Sequence, residues 1–262
     1  MEQKEHLSNE RPPVVFVPGG IMPAAMAYGP LLDVIKDQVY PIVKDLEVYA
    51  TDTPPPDFGL ELEIEGIRRV ADAAGAKRFH LVGYSAGGAS SLAFAAKYPE
   101  RLRSLALIEP AWSGSLMTPE EAADWAELDH AVSLPPDERM RAFMRWQMRP
   151  GVEPPTLPLP PGPPPPWMAK RPAGFEAFAH AFKTYNLDTE RFRQFQQPVY
   201  YALGGLSTRY YERAANRLAS LFPNMQVEVY EGRSHFDPPH RAEPERFAQA
   251  LRELWTRAEQ PL

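Results

Sequence analysis

The sequence predicts an α/β fold, a mostly parallel sheet of about six strands flanked by helices and interrupted once by a helical, proline-rich insert. Three observations carry this. Short apolar runs of strand length alternate with stretches whose apolar residues recur at helical spacing. The strand runs are apolar at nearly every position, as in a sheet covered on both faces. The alternation lapses once, between the fourth and fifth strands, and many of the chain's 31 prolines fall there.

The elements follow in order. Pro13–Val17 (PVVFV) reads as a buried strand ending in Pro18-Gly19-Gly20. YGPLLDVIKD is a helix, and Val39–Val43 the second strand. ATDTPPPDFG is a loop by its Pro, Asp and Gly content. The next stretch places Leu60, Ile64, Ile67, Val70 and Ala74 at helical spacing. Arg78–Val82 is the third strand, and GGASSLAFAAKYPE is helical until Pro99. Ser104–Ile108, Pro198–Leu203 and Gln226–Tyr230 are the fourth to sixth strands. ERAANRLASLF is a helix between the last two, and EPERFAQALRELWTRA closes the chain with Pro244 in its first turn, where proline costs no hydrogen bond.

Strands resume after the insert, so residues 112–197 are read as a cap set into one core built from 1–111 and 198–262. Within it, Thr118 and Glu121 form a capping box around Pro119. DERMRAFMRWQM is amphipathic, and RPGVEPPTLPLPPGPPPPWMAKRP holds too much proline for helix interior or central strand. A proline-stiffened strap is expected there.

Composition narrows the function. The 262 residues suit one large domain with an insertion. The net charge of −6 is spread over mixed signs with no basic stripe, which argues against nucleic acid as a partner. With no cysteine, disulfides, thiolate catalysis and Cys-based metal sites are excluded, and a reducing compartment fits. The leading MEQKEHLSNERPP lacks the apolar run of a signal peptide, and no stretch reaches the ~18 apolar residues of a membrane span. A soluble, cytoplasmic protein with no membrane partner is expected, and a homodimer is left open.

The chemistry points to LVGYSAGGAS. Gly83-Tyr84-Ser85-Ala86-Gly87 is G-x-S-x-G, placed after an apolar strand and before a helix. A sharp turn there lifts a serine hydroxyl above the sheet, and glycine on each side removes side chains that would clash. A surface serine in a glycine-rich turn is the plainer alternative. A serine nucleophile also needs a base, and six histidines compete for that role.

From VVFVPGG to the last helix the chain resembles the α/β-hydrolase superfamily. The resemblance implies an α/β-hydrolase fold with Ser85 as nucleophile and His235 as base, since Gly232-Arg233-Ser234-His235 follows the last strand. His240 lies past two prolines. One departure is informative. Most relatives carry an aspartate after the penultimate strand, where this chain reads ALGGLSTRYY with Ser207 in its place. Glu109, at the end of the fourth strand, is the substitute acid, as in fungal zearalenone lactonases and one branch of haloalkane dehalogenases; Asp237 is the fallback. The resemblance further implies oxyanion donors at Gly20 and Ala86. The superfamily's opening hairpin has little chain to form it here, so a trimmed, essentially parallel sheet is expected.

Substrate contacts are expected from Ile21, Met22, Tyr84, Trp112, Trp146, Trp167 and Phe236, Trp112 foremost. With no Arg or Lys cluster near the motifs, a small apolar ester or lactone fits, and no metal or cofactor is called for. The alternatives are a C–C bond hydrolase or lyase on the same residues, or a non-catalytic protein that holds a small ligand.

Overall fold

The structure, a computed structural model, describes residues 11–155, 163 and 165–260. His6, most of the leading tail and the centre of the proline block lie outside the described residues, so the expected strap does too.

The chain runs β1 (Pro13–Val17), α1 (Ala24–Ile35), β2 (Tyr40–Val43), α2 (Leu60–Ala73), β3 (Phe79–Tyr84), α3 (Ala86–Lys97) and β4 (Leu102–Ile108). Then come α4 (Pro119–Ser133), α5 (Pro136–Trp146), α6 (Pro166–Ala169) and α7 (Arg171–Thr184). β5 (Val199–Gly204), α8 (Arg209–Leu221), β6 (Met225–Tyr230), α9 (Pro239–Ala242) and α10 (Pro244–Ala258) complete it. Helices α6 and α7 were not separated in the sequence. Prolines mask them, yet those prolines stand in the first turn, where the missing N–H is no loss.

The six strands form one all-parallel sheet in the order β2-β1-β3-β4-β5-β6. Alternate side chains serve two cores. Val15, Val17, Leu81, Leu105 and Leu107 face one core with α2, α3 and α8. Val14, Phe16, Val82, Ala106 and Ile108 face the other with α1 and α10. Burial on both sides explains why the strands read as continuous apolar runs. It also fixes the register, because a slip of one residue would exchange every side chain between the two cores. β3 and β4 are central, so the ends that carry Ser85 and Glu109 are the best supported in the sheet.

Several contacts fasten the insert to the core. Arg217 of α8 reaches both oxygens of the buried Glu121 carboxylate, at 3.0 and 2.7 Å, and also donates to Ser113. Thr118 and Glu121 form the capping box that opens α4. The stretch after α5 is bolted to the loop after β5. Thr208 N donates to Gln147 O at 2.9 Å, Arg149 N donates to Leu206 O at 2.9 Å, and Met148 bridges Ser207. Among the described residues no helix is long and apolar enough to cross a membrane.

Candidate active site

Ser85 sits where β3 turns into α3, at φ 52° and ψ −117°. Glu109, one residue past β4, has φ 41°. Among the described residues these are the two non-glycine positions with positive φ. Such backbone is uncommon for residues with a Cβ and persists only where the surroundings enforce it. Here they do. Ser85 N donates to Ile108 O at 3.0 Å, and Ala111 N donates to Ser85 O at 2.9 Å, so each turn holds the other. Glycine makes the approach possible. A Cβ on Gly87 would lie 2.4 Å from Val17 O, and one on Gly83 would lie 2.3 Å from Ser91 Oγ.

His235 arrives from the loop after β6. The Tyr84 hydroxyl donates to its carbonyl oxygen, and Leu206 N donates to Arg233 O at 2.9 Å, so the loop is pinned on both sides. The imidazole Nδ1 lies 2.9 Å from Glu109 Oε2, and Nε2 lies 3.1 Å from Ser85 Oγ. A carboxylate accepts hydrogen bonds, so Nδ1 carries the ring proton and Nε2 is free to accept from the serine. Glu109 is 2% exposed, and its other oxygen accepts from Gly204 N at 2.7 Å. Burying a carboxylate is costly unless its oxygens are occupied, and here both are. Asp237 pairs instead with Arg233 at 2.6 Å. Ser207 is buried, and its hydroxyl has no partner among the described residues.

Above Ser85 opens a cleft of about 290 Å³ between the strand ends and the insert. Gly20 and Ala86 line it together with Ser85. Among the described residues neither of their amides donates to a protein acceptor, so both are free for a ligand oxygen. The Tyr49 hydroxyl donates to Gly20 O at 2.9 Å and holds that loop. The walls are apolar, with Trp125, Trp146, Phe175 and Phe182. Charges at its edge are paired, Arg139 with Glu176 at 2.8 Å and Lys183 with Asp129 at 3.0 Å.

The other expected contacts divide. Trp146 lines this cleft. Ile21, Met22, Tyr84 and Phe236 surround a smaller recess that also reaches Ser85 and His235. Trp112 does neither. It is 1% exposed and stacks on Phe182 at 5.6 Å, because the turn through Glu109 and Pro110 presents Ala111 to the cleft and sends the next side chain into the core. Trp167 lies beside Arg171, around a separate hollow with Tyr49 and Lys170 that does not include Ser85.

Sequence reasoning missed Tyr211 and Gln147. The Tyr211 ring lies 4.7 Å from that of His235 and within 7° of parallel. Its hydroxyl donates to Gln147 Oε1 at 2.6 Å and stands 3.3 Å from His235 Nε2. With the rings parallel, that oxygen is over the imidazole face rather than in its plane. Burial, and then the Glu109 carboxylate, push the Tyr211 phenol well above its ordinary pKa, so it stays a donor. The only sequence signal was its place four residues after Ser207, where relatives carry an acid.

A sequence profile described as "Alpha/beta hydrolase family" matches residues 14–250. The 2-hydroxy-6-oxo-6-phenylhexa-2,4-dienoate hydrolase of Comamonas testosteroni is 47% identical over 49 residues, which is 19% of this chain and 17% of that protein's length. Among solved structures, a thermophilic esterase from Thermogutta terrifontis superposes with a TM-score of 0.67 at 21% identity, covering 95% of this chain and 90% of that one. Naproxen esterase from Bacillus subtilis gives a TM-score of 0.62 at 17% identity, with 94% and 84% covered.

Proposed function

The chain belongs to the alpha/beta hydrolase family, and from that premise we propose that it is a serine hydrolase cleaving a small apolar carboxylic ester or lactone through an acyl-enzyme. The observation that carries this is the unbroken chain of contacts from Ser85 through His235 to Glu109, opening onto an apolar cleft.

The steps follow from the geometry. His235 Nε2 takes the proton of the Ser85 hydroxyl as its oxygen bonds to the substrate carbonyl carbon. The carbonyl oxygen becomes an anion between the Gly20 and Ala86 amides. Donors of this kind stabilise such a transition state by ~2.7–4 kcal/mol each. Glu109, accepting from Nδ1–H, holds the ring in one tautomer and stabilises the imidazolium. The imidazolium then gives its proton to the departing alcohol. Water repeats the sequence on the acyl-enzyme and frees the acid. Paired charges and aromatic walls support an uncharged substrate. The lack of cysteine supports a reducing, cytoplasmic setting.

The test is burst kinetics with p-nitrophenyl butyrate, together with labelling by a fluorophosphonate, in wild type and Ser85→Ala. A burst and a single label on Ser85, both lost in the variant, are expected. A wild type no faster than Ser85→Ala would instead favour a ligand-binding protein. Product analysis with a β-diketone separates ester hydrolysis from C–C cleavage on the same residues.

A further inference from the structure

Gln147 is the polar side chain that the mechanism leaves unused inside the cleft. It caps the C-terminus of α5 and lines the cleft wall with Tyr211. Its backbone is fixed by Thr208 N, and its residue is 4% exposed. A carboxamide offers two acceptor sites on oxygen and two donors on nitrogen. The Tyr211 phenol donates to Oε1, which turns Nε2 the other way. Among the described residues Nε2 has no protein partner, and it is not one of the sealed, partnerless atoms of the interior. The amide nitrogen therefore presents donors to the cleft, whose walls are otherwise apolar apart from Tyr211 and the paired charges at the edge.

Its position says which part of the substrate it meets. The Tyr211 hydroxyl that donates to Gln147 Oε1 lies 3.3 Å from His235 Nε2, over the ring face, so the carboxamide stands close to that atom. In the reading given above, Nε2 is the atom that hands a proton to the leaving alcohol, so the carboxamide stands on the alcohol side of the scissile bond. We infer that Gln147 is a specificity-determining donor that recognises a second oxygen acceptor, an ether, ketone or phenolic oxygen, on the alcohol part of the substrate close to the ester oxygen. Tyr211 is its positioning residue. An apolar wall rejects few esters, whereas a buried donor left unpaired penalises those that lack the acceptor.

Two esters with the same acyl group and the same number of heavy atoms separate the effect: 2-methoxyethyl butyrate, which carries the acceptor, and butyl butyrate, which does not. Both form the same acyl-enzyme, so only the first half of the reaction differs. In Gln147→Leu the ratio of their kcat/KM values, methoxyethyl over butyl, is expected to fall roughly three- to tenfold from wild type. In Tyr211→Phe, which keeps the ring on His235 and cuts only the tether, it falls part of the way. Gln147→Glu removes the donor in the same shape and carries the comparison if Gln147→Leu does not fold. A ratio that stays within twofold of wild type overturns the inference.

The kinetic arm rests on the ester-hydrolase reading, so a binding arm stands beside it. In a Ser85→Ala background, dissociation constants for the two esters are read from the fluorescence of Trp125 and Trp146, and adding Gln147→Leu should raise their ratio, methoxyethyl over butyl, because only the ester with the acceptor loses a hydrogen bond. A shifted binding ratio with no turnover in wild type supports this inference and overturns the hydrolase reading. Turnover with neither ratio moved does the reverse, and no binding of either ester overturns both.

Discussion

The floor and the roof of the cleft are built by different forces. The floor is backbone. Ser85 and Glu109 stand at the ends of adjacent central strands, each held at positive φ by hydrogen bonds to the other's turn, with glycines where side chains would collide. The roof is side chain. The four described helices between β4 and β5 are joined to the core by the Glu121–Arg217 pair, the Arg213–Asp124 pair and aromatic contacts such as Phe178 on Phe58. A floor of this kind fixes reacting atoms to fractions of an ångström. A roof of this kind fixes the shape and polarity of the space above them. Substitutions in the floor should therefore act on kcat, and substitutions in the roof on KM, specificity and stability.

The hardest test of that division is Gly87→Ala. The new methyl would lie 2.4 Å from Val17 O and 2.5 Å from Pro18 O, both backbone atoms, so the loop after β1 and the serine must separate. A loss of at least about 10²-fold in kcat is expected, since displacement of this size is enough for it. Normal kcat would mean that the floor is not rigid. Next is Arg217→Met, which leaves the fully buried Glu121 carboxylate without its cation. Urea denaturation should show a loss of ~3–5 kcal/mol, the cost of breaking a buried pair from one side. Trp146→Ala opens the cleft wall and removes a donor to Asp124 O at 3.0 Å. Roughly a tenfold rise in KM is expected, with kcat within about twofold, because the energy lost is uniform binding. A fall in kcat with KM unchanged would move Trp146 from roof to floor.

The smallest effect concerns acid. His80 and His240 lie in the core beneath the floor, and burial lowers each to a pKa of about 3. Folded, both stay neutral well below pH 6.5, whereas in the unfolded chain each gains a proton near that value. Between about pH 6.5 and 3 the unfolded state binds more protons, so stability is fully present above 6.5 and is lost as pH falls. Tm should decline from pH 7 to pH 4.5, and the decline should be shallower in His240→Leu than in wild type. Equal slopes would exclude His240 as a source.

The same division explains what could be read in the chain. Six strands and the helices between them were legible because sheets covered on both faces need apolar runs, and the all-parallel order follows from the crossovers. Ser85 and Glu109 could be singled out because each follows directly on a strand, and a strand's end is a place in space as well as in sequence, whereas His235, in the loop after β6, was marked by the resemblance. Roof residues have no such anchor. Trp112 and Trp167 were both expected in the cleft, yet which way an aromatic turns depends on partners far along the chain: Phe182 for the one, Arg171 and the hollow beside Tyr49 for the other. Tyr211 was missed for the same reason. Its importance comes from lying parallel to His235 while touching Gln147, and neither relation leaves a local trace.

The most direct measurement compares kcat on p-nitrophenyl butyrate for Glu109→Gln and Asp237→Asn, with Tm recorded for each variant. Glu109→Gln should lose at least about 10²-fold, because the amide no longer fixes the imidazole tautomer or its charge. Asp237→Asn, whose carboxylate faces Arg233, should stay within a few-fold of wild type. Full activity in a folded Glu109→Gln, with collapse confined to Asp237→Asn, would contradict the assignment of the acid to the end of β4.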